Sequence, residues 1–400
     1  EGIRQVLLSE GLAPGKVSCV RSAVDATPYL APVDRAAFCA EFGLPADALV
    51  AGVVAQLIPR KGHRYLLAAL PALLARHPQL QVLIFGQGPL EAELRAEVEA
   101  AGLADALLSE DDGGAGLGLT QVFGVLEQCG AHALPLPLGE TLVARALLAQ
   151  AGVARTAGSI ALARGERLGD GGVRCALVRT GQVAQSVLVQ AGGEWRLLGT
   201  EGAQASPQAL ALDAALAWSA TQVQAAPVVA VDAALDARTL QAAVVAAQMA
   251  GALKAVFDRT LQYANERQQF GRPIGKFQAI QHQLAVMSEH VFAARMAAQL
   301  GCSAGHDGMG VVPDRLRVAT AKARCSEAAL VVSELAHAIH GAIGFTEEYD
   351  LQLFTRRLHA WRQTAGSEAY WYGVAGEALL HHQGMTLDIV RRITDVDTVL

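Results

Sequence analysis

Tyr263-Ala264-Asn265-Glu266-Arg267-Gln268-Gln269-Phe270-Gly271-Arg272-Pro273-Ile274-Gly275-Lys276-Phe277-Gln278 separates two segments with helical apolar stripes. Upstream, Val245, Met249, Leu253, Val256 and Thr260 recur at helical spacing; downstream, Ile280, Leu284, Met287, Val291 and Ala294 do the same. Gly271 and Pro273 interrupt a helix, so the quoted stretch reads as a turn between two long helices, with Arg267 closing the first. A guanidinium is thereby displayed where the backbone leaves the helix. Taken locally, it serves either as a C-terminal charge on the helix dipole or as a fork for an anion. Phe270 taken alone reads as core.

Working outward, Pro313 opens a third stripe through Leu316, Ala319, Ala323, Leu330 and Leu335, which Gly341 ends. Long helices with broad apolar faces predict an antiparallel, four-helix-type bundle over residues 233–400. Before it, short β segments at Ser159 to Ala163, Val173 to Val178, Val183 to Val189 and Trp195 to Leu198, with a Gly192-Gly193 turn, predict a small antiparallel domain over 154–232. Residues 105–153 read as helical, from Leu119, Val122, Phe123 and Leu126 through a Pro135 to Pro137 break to Leu142–Leu148. Residues 1–104 alternate differently. Strands at Val17 to Val24, Val50 to Ile58 and Leu80 to Phe85, with helices at Tyr65 to Leu74 and Leu90 to Ala101, predict a partial α/β, Rossmann-like unit. The chain is thus expected to be multidomain.

Composition narrows the function classes. A net charge of −6, with Lys and Arg scattered along the chain, gives no electrostatic footprint for nucleic acid or an anionic membrane. Cys19, Cys39, Cys129, Cys175, Cys302 and Cys325 are far apart and lack zinc-ligand spacing, so no metal is expected and a reducing cytoplasm fits. The N-terminus does not read as a signal peptide, and the apolar runs read as too short or too interrupted to span a membrane.

Three segments carry a resemblance. They are Ser109-Glu110-Asp111-Asp112-Gly113-Gly114-Ala115-Gly116-Leu117-Gly118, the stretch from Tyr263 to Gln278, and Ile339-His340-Gly341-Ala342-Ile343-Gly344-Phe345-Thr346-Glu347-Glu348-Tyr349. Together with the order helices, β domain, bundle, they resemble the flavin-dependent acyl-CoA dehydrogenases, over residues 109–400. The family's first helices are missing here. The resemblance implies FAD as cofactor, an acyl-CoA substrate oxidised to the 2,3-enoyl-CoA, and an electron-transfer flavoprotein as electron acceptor. It also implies that Arg267 reaches the FAD diphosphate across a subunit boundary, that Gln269 and Phe270 contact the cofactor, and that Gly341 and Gly344 admit a neighbour's FAD.

The reaction requires a carboxylate beside the substrate α-carbon. At the position where the family carries its usual base this chain has Ala365, before Gly366; at the alternative position in the first bundle helix it has Gln241. Neither a methyl group nor a neutral amide takes a proton. Glu368, three residues on, is the nearest carboxylate, and its ordinary role is a charge in the first turn of a helix. Glu347 and Glu348 read as solvent-facing or interface residues. Loss of the base with a reduced β domain resembles the second subunit of heteromeric acyl-CoA dehydrogenases, including steroid- and dicarboxylate-type enzymes. A catalytic enzyme and a non-catalytic partner subunit both remain open at this point.

The first hundred residues resemble another family. Val24-Asp25, then Val53-Val54-Ala55-Gln56-Leu57-Ile58-Pro59-Arg60-Lys61-Gly62, then Leu83-Ile84-Phe85-Gly86-Gln87-Gly88-Pro89 are similar to the nucleotide-sugar domain of retaining, group 1 glycosyltransferases. There the residue matching Lys61 contacts the donor diphosphate. The acidic half of that site and the acceptor domain are absent, so a truncated remnant is expected, and sugar transfer is the least favoured function.

Overall fold

The computed structural model describes residue 35 and residues 49–54, 80–85, 103–156, 158–303 and 312–394. The chain divides into two compact units, one formed by Glu1–Val53 with Leu73–Ile84, the other by Val54–Ala72 with Phe85–Leu400. The first unit contains a two-stranded sheet of β1 (Leu49–Val54) and β2 (Leu80–Phe85). β2 has the predicted bounds; β1 begins one residue before the strand expected at Val50 to Ile58, of which residues 55–58 lie outside the described residues. The expected strand at Val17 to Val24, both expected helices and Lys61 lie outside the described residues.

In the second unit, α1 (Leu119–Ala131) and α2 (Leu138–Gln150) flank the proline break. α1 buries Leu119, Val122, Phe123 and Leu126, the predicted stripe, while α2 is buried on all sides from Gly139 to Leu148. α1 lies against α4 (Ala237–Glu266) with backbone touching backbone. A Cβ added at Gly130 would stand 1.7 Å from the Gln248 carbonyl oxygen, and one at Gly251 1.8 Å from that of Glu127. Only glycine permits that approach.

The β domain is a sandwich of two four-stranded sheets, ordered β10-β7-β6-β3 and β4-β5-β9-β8. Its strands are β3 (Ile160–Arg164), β4 (Glu166–Arg167), β5 (Val173–Val178), β6 (Ser186–Ala191), β7 (Glu194–Gly199), β8 (Gln204–Pro207), β9 (Ala214–Trp218) and β10 (Val228–Val229). A short α3 (Ala220–Ala225) precedes β10. Along β3, Ile160 and Leu162 face the helical core while Ala161 and Ala163 face the sandwich, the period of two that a doubly covered strand requires. The β6–β7 hairpin turns through Gly192 and Gly193, both at positive φ. The expectation of a wholly antiparallel domain is corrected at one pair. β3 and β6 run parallel, Ile160 opposite Ser186 through Arg164 opposite Gln190. The chain leaves the first sheet for β4 and β5 and returns, so this connection is a crossover rather than a hairpin.

The bundle comprises α4, α5 (Gln278–Gly301), α6 (Arg315–His340), α7 (Leu351–Gln363), α8 (Glu368–Leu380) and α9 (Thr386–Thr394). Asp236 caps α4 by accepting from Thr239 N–H at 3.0 Å, and Asp314, just after Pro313, caps α6. Gly341, at φ 63, ends α6 as predicted. α4 and the segment Arg315–Phe345 are long and apolar enough to cross a membrane, which the sequence reading did not anticipate. In α4, 89% of the most apolar window is buried inside the molecule, as the central helix of a bundle would be.

Candidate active site

The sandwich, the start of α4 and the α7–α8 connection meet around a cavity of about 400 Å³. The sheet side contributes Arg164, Glu166 and Arg174, α4 contributes Arg238 and Gln241, and the connection contributes Gln363 through Gly366. Gln241 and Ala365, the two positions at which a base was sought, therefore line one cavity although 124 residues separate them in sequence.

Ala365 (φ 58) and Gly366 (φ 107) both lie in the left-handed region, so the connection turns sharply at the cavity wall. The Ala365 carbonyl accepts from Trp371 Nε1 at 3.1 Å. The Gln241 amide acts as a donor: Nε2 donates to the Leu162 carbonyl at 2.8 Å and to Glu140 Oε1 at 3.4 Å. Glu140 is itself buried, accepting from Arg179 at 3.2 Å and from Leu162 N–H at 3.1 Å. Burial raises its carboxyl above the usual range, against the opposing pull of Arg179. Arg179 also donates to Gln248 at 2.7 Å and lies over the Trp361 ring. This network holds Gln241 from behind.

Glu368 begins α8, as expected, and is not among the residues lining the cavity. Arg362 grips both of its oxygens, Nε donating to Oε2 at 2.9 Å and an amino group to Oε1. Those bonds hold the Glu368 carboxyl below its ordinary range, which makes it a weaker proton acceptor. The carboxylate in the cavity wall is Glu166, opposite Arg174 in the β4–β5 pair. Sequence reasoning missed Glu166 because β4 is two residues long, and missed Arg238 although it stands one helical turn before Gln241.

A second cavity of about 570 Å³ shares Arg164, Gly165 and Arg238 with the first and extends past Gly192, Gly193 and Arg315 to Tyr370. Arg315 is paired with Asp236 at 2.6 Å and donates to the Tyr370 hydroxyl at 2.9 Å; Arg238 lies over the Tyr370 ring. Guanidiniums thus line both chambers, an environment suited to phosphate or carboxylate groups.

The quoted turn folds as a hairpin. Arg267 caps α4, β11 (Gln268–Gln269) pairs with β12 (Arg272–Pro273), and Phe270 (φ 52) with Gly271 (φ 79) makes the reversal. Arg267 and Gln269 are exposed, and Phe270 is 90% exposed, so the core alternative for Phe270 fails. Nearby in sequence to the end of α6, Gly341 is exposed with nothing within 4 Å of an added Cβ, and Phe345 is 72% exposed. Gly344 differs: a Cβ there would stand 3.0 Å from the His340 Cβ and 3.2 Å from His337 Nδ1, so close packing favours glycine. Glu347 and Glu348 are exposed. A cation, an amide, two bare phenyl rings and an open glycine are presented to solvent, chemistry that fits a diphosphate-bearing, aromatic cofactor.

The comparisons bear on both parts of the chain. Residues 231–380 match the family described as acyl-CoA dehydrogenase, C-terminal domain, and residues 34–108 match glycosyl transferases group 1. The acyl-CoA dehydrogenase IpdE2 of Mycolicibacterium smegmatis is 31% identical over 303 residues, covering 74% of this chain and 91% of that protein. IpdE2 of Mycobacterium tuberculosis is 31% identical over 271 residues, covering 67% and 80%. Among solved structures, a Tcur3481-Tcur3483 steroid ACAD variant superposes with a TM-score of 0.62 at 25% identity over 72% of this chain and 89% of that one. The ChsE4-ChsE5 complex of Mycobacterium tuberculosis gives 0.64 at 22% identity over 74% and 89%, a likeness of fold.

Proposed function

Because the chain belongs to the acyl-CoA dehydrogenase family, whose cofactor is FAD, we propose that it is the base-lacking subunit of a heteromeric enzyme that desaturates an acyl-CoA between its α and β carbons. The observation that carries this reading is the convergence of Gln241 and Ala365 on one cavity whose wall holds no carboxylate at either position. FAD, when bound, accepts the β-hydride. Arg267, Gln269 and Phe270 would hold its diphosphate and ring portions, with Gly341 leaving room for a neighbouring chain's cofactor. The thioester would lie against the Ala365-Gly366 turn. The arginines shared by the two chambers would take the anionic end of coenzyme A. Electrons would leave to an electron-transfer flavoprotein. IpdE2 is an acyl-CoA dehydrogenase, and ChsE4 and ChsE5 form a complex, which supports pairing with a second chain. Cys129, Cys175, Cys302 and Cys325 are buried free thiols, which suits a reducing, cytoplasmic setting.

A second reading, a complete enzyme, is favoured by Glu166, the carboxylate that does line the cavity. Purifying the chain alone and with a co-expressed partner, then mixing each with acyl-CoA without oxygen, separates the two. Slow flavin reduction by the lone chain and fast reduction by the pair support the subunit reading. Brisk turnover by the lone chain that Glu166→Gln abolishes would establish the second.

A further inference from the structure

α6 buries a lysine completely. Lys322 has no exposure to solvent, and its Nζ donates to Ser326 Oγ, to the Arg362 carbonyl and to the Gly366 carbonyl, each at 2.9 Å. Taking an ammonium out of water is expensive, and three acceptors meeting its three hydrogens is the arrangement that offsets the cost. An apolar side chain of similar volume would fill the space at least as well. General stability therefore does not explain a lysine here, but its partners do. Two are main-chain oxygens at the end of α7 and in the turn before α8, the segment that walls the cavity.

That turn carries two successive left-handed residues, Ala365 and Gly366, whose carbonyls are outside any helix. Each carbonyl has its own side-chain donor: Trp371 Nε1 for Ala365 and Lys322 Nζ for Gly366. We propose that Lys322 is a positioning residue, fixing the Thr364-Ala365-Gly366 backbone in the shape that forms the reactive wall of the cavity. The consequence for acyl-CoA rests on the proposed function above; the hold on the turn does not.

The groups around Lys322 give the proposal a signature. Burial lowers its pKa most, Arg179 and Arg362 lower it further, and Cys325 and Glu368 raise it, leaving it moved from 10.5 to about 7. A turn that opens and wets the amine returns it to its ordinary value. The open form then holds one proton more than the closed form between about pH 7 and 10.5. Closure should therefore strengthen as pH rises through that window, by up to about tenfold per pH unit for one proton, and should level off below pH 7.

The experiment is amide hydrogen exchange of peptides spanning residues 360–371 in the full-length chain, corrected for intrinsic rates, from pH 6 to 9. Wild-type protection should be flat below pH 7 and climb above it. Lys322→Met should exchange this segment about tenfold faster at pH 8, from loss of the hydrogen bonds, and should lose the slope. Butyryl-CoA binding, measured by calorimetry, should weaken in Lys322→Met by a similar factor. If Lys322→Met does not fold, the wild-type slope still decides. A flat wild-type profile, or equal slopes in both proteins, would overturn the proposal. Wild-type protein with the expected slope but no affinity for butyryl-CoA would leave Lys322 in its role and instead remove the acyl-CoA reading of the cavity.

Discussion

Replacing Ala365 with glutamate puts a carboxylate on the wall of the cavity where the α-proton would be taken. The backbone there already sits at φ 58, so the left-handed penalty, of order 1–2 kcal/mol, is present in the wild type and the longer side chain adds little to it. Trp371 holds the Ala365 carbonyl at 3.1 Å, which helps to fix the turn, and a cavity of about 400 Å³ has room for the four heavy atoms that glutamate adds beyond Cβ. A positioned general base is worth about 10²–10⁴-fold, so flavin-loaded Ala365→Glu should be reduced by acyl-CoA at least about 10²-fold faster than wild type. Gln241→Glu is the contrasting substitution. Its amide donates to Leu162 O and Glu140, and a carboxylate has no hydrogen for either, while bringing two carboxyls to about 3.4 Å. One of them must stay protonated, so this variant should gain no comparable rate and lose about 1–3 kcal/mol of stability. The assay is anaerobic bleaching of the oxidised flavin band in a stopped-flow instrument. Flavin-loaded Ala365→Glu that reduces no faster than wild type would refute the argument.

Arg267→Ala should abolish flavin retention by the assembled protein while leaving its circular dichroism unchanged; full flavin content in that variant would remove Arg267 from the cofactor site. No UDP- or GDP-sugar should be hydrolysed or transferred, and turnover that Lys61→Ala eliminates would contradict the remnant reading of the first hundred residues. Gly130→Ala should destabilise by about 3 kcal/mol or more, because its methyl meets a backbone oxygen that cannot turn aside. Gly124→Ala, on the same helix with nothing within 4 Å of the new methyl, should be neutral or slightly stabilising. Denaturant unfolding of the two variants makes that comparison.

The helices were legible because their apolar spacing is local: Val245 to Thr260 and Leu316 to Leu335 declare α4 and α6 without reference to anything distant. The turn after α4 was legible for the same reason, since Gly271 and Pro273 interrupt a helix, but its pairing as a hairpin was not. β8 and β9 escaped notice because Gln204–Pro207 and Ala214–Trp218 contain few β-branched residues and take their strand form from pairing with each other and with β5. The parallel β3–β6 pair was hidden by a connection through another sheet. Within the site, Ala365 and Gln241 were picked out by the family resemblance and prove to line one cavity, whereas Glu140, Arg179 and Lys322 look in the sequence like any surface charge. Their burial is decided by segments far away in sequence, up to 101 residues in the Gln241 bond to Glu140.

α4 is also a ruler. It spans 30 residues, with Gln241 near its start and Arg267 capping its end. The 26 residue steps from Gln241 to Arg267 measure about 39 Å along the axis. On the proposed function, Arg267 and Gln241 would therefore serve different cofactor sites. On the proposed reading each chain lends its far end to a neighbour, and a defect is inherited by the assembly rather than by the chain that carries it.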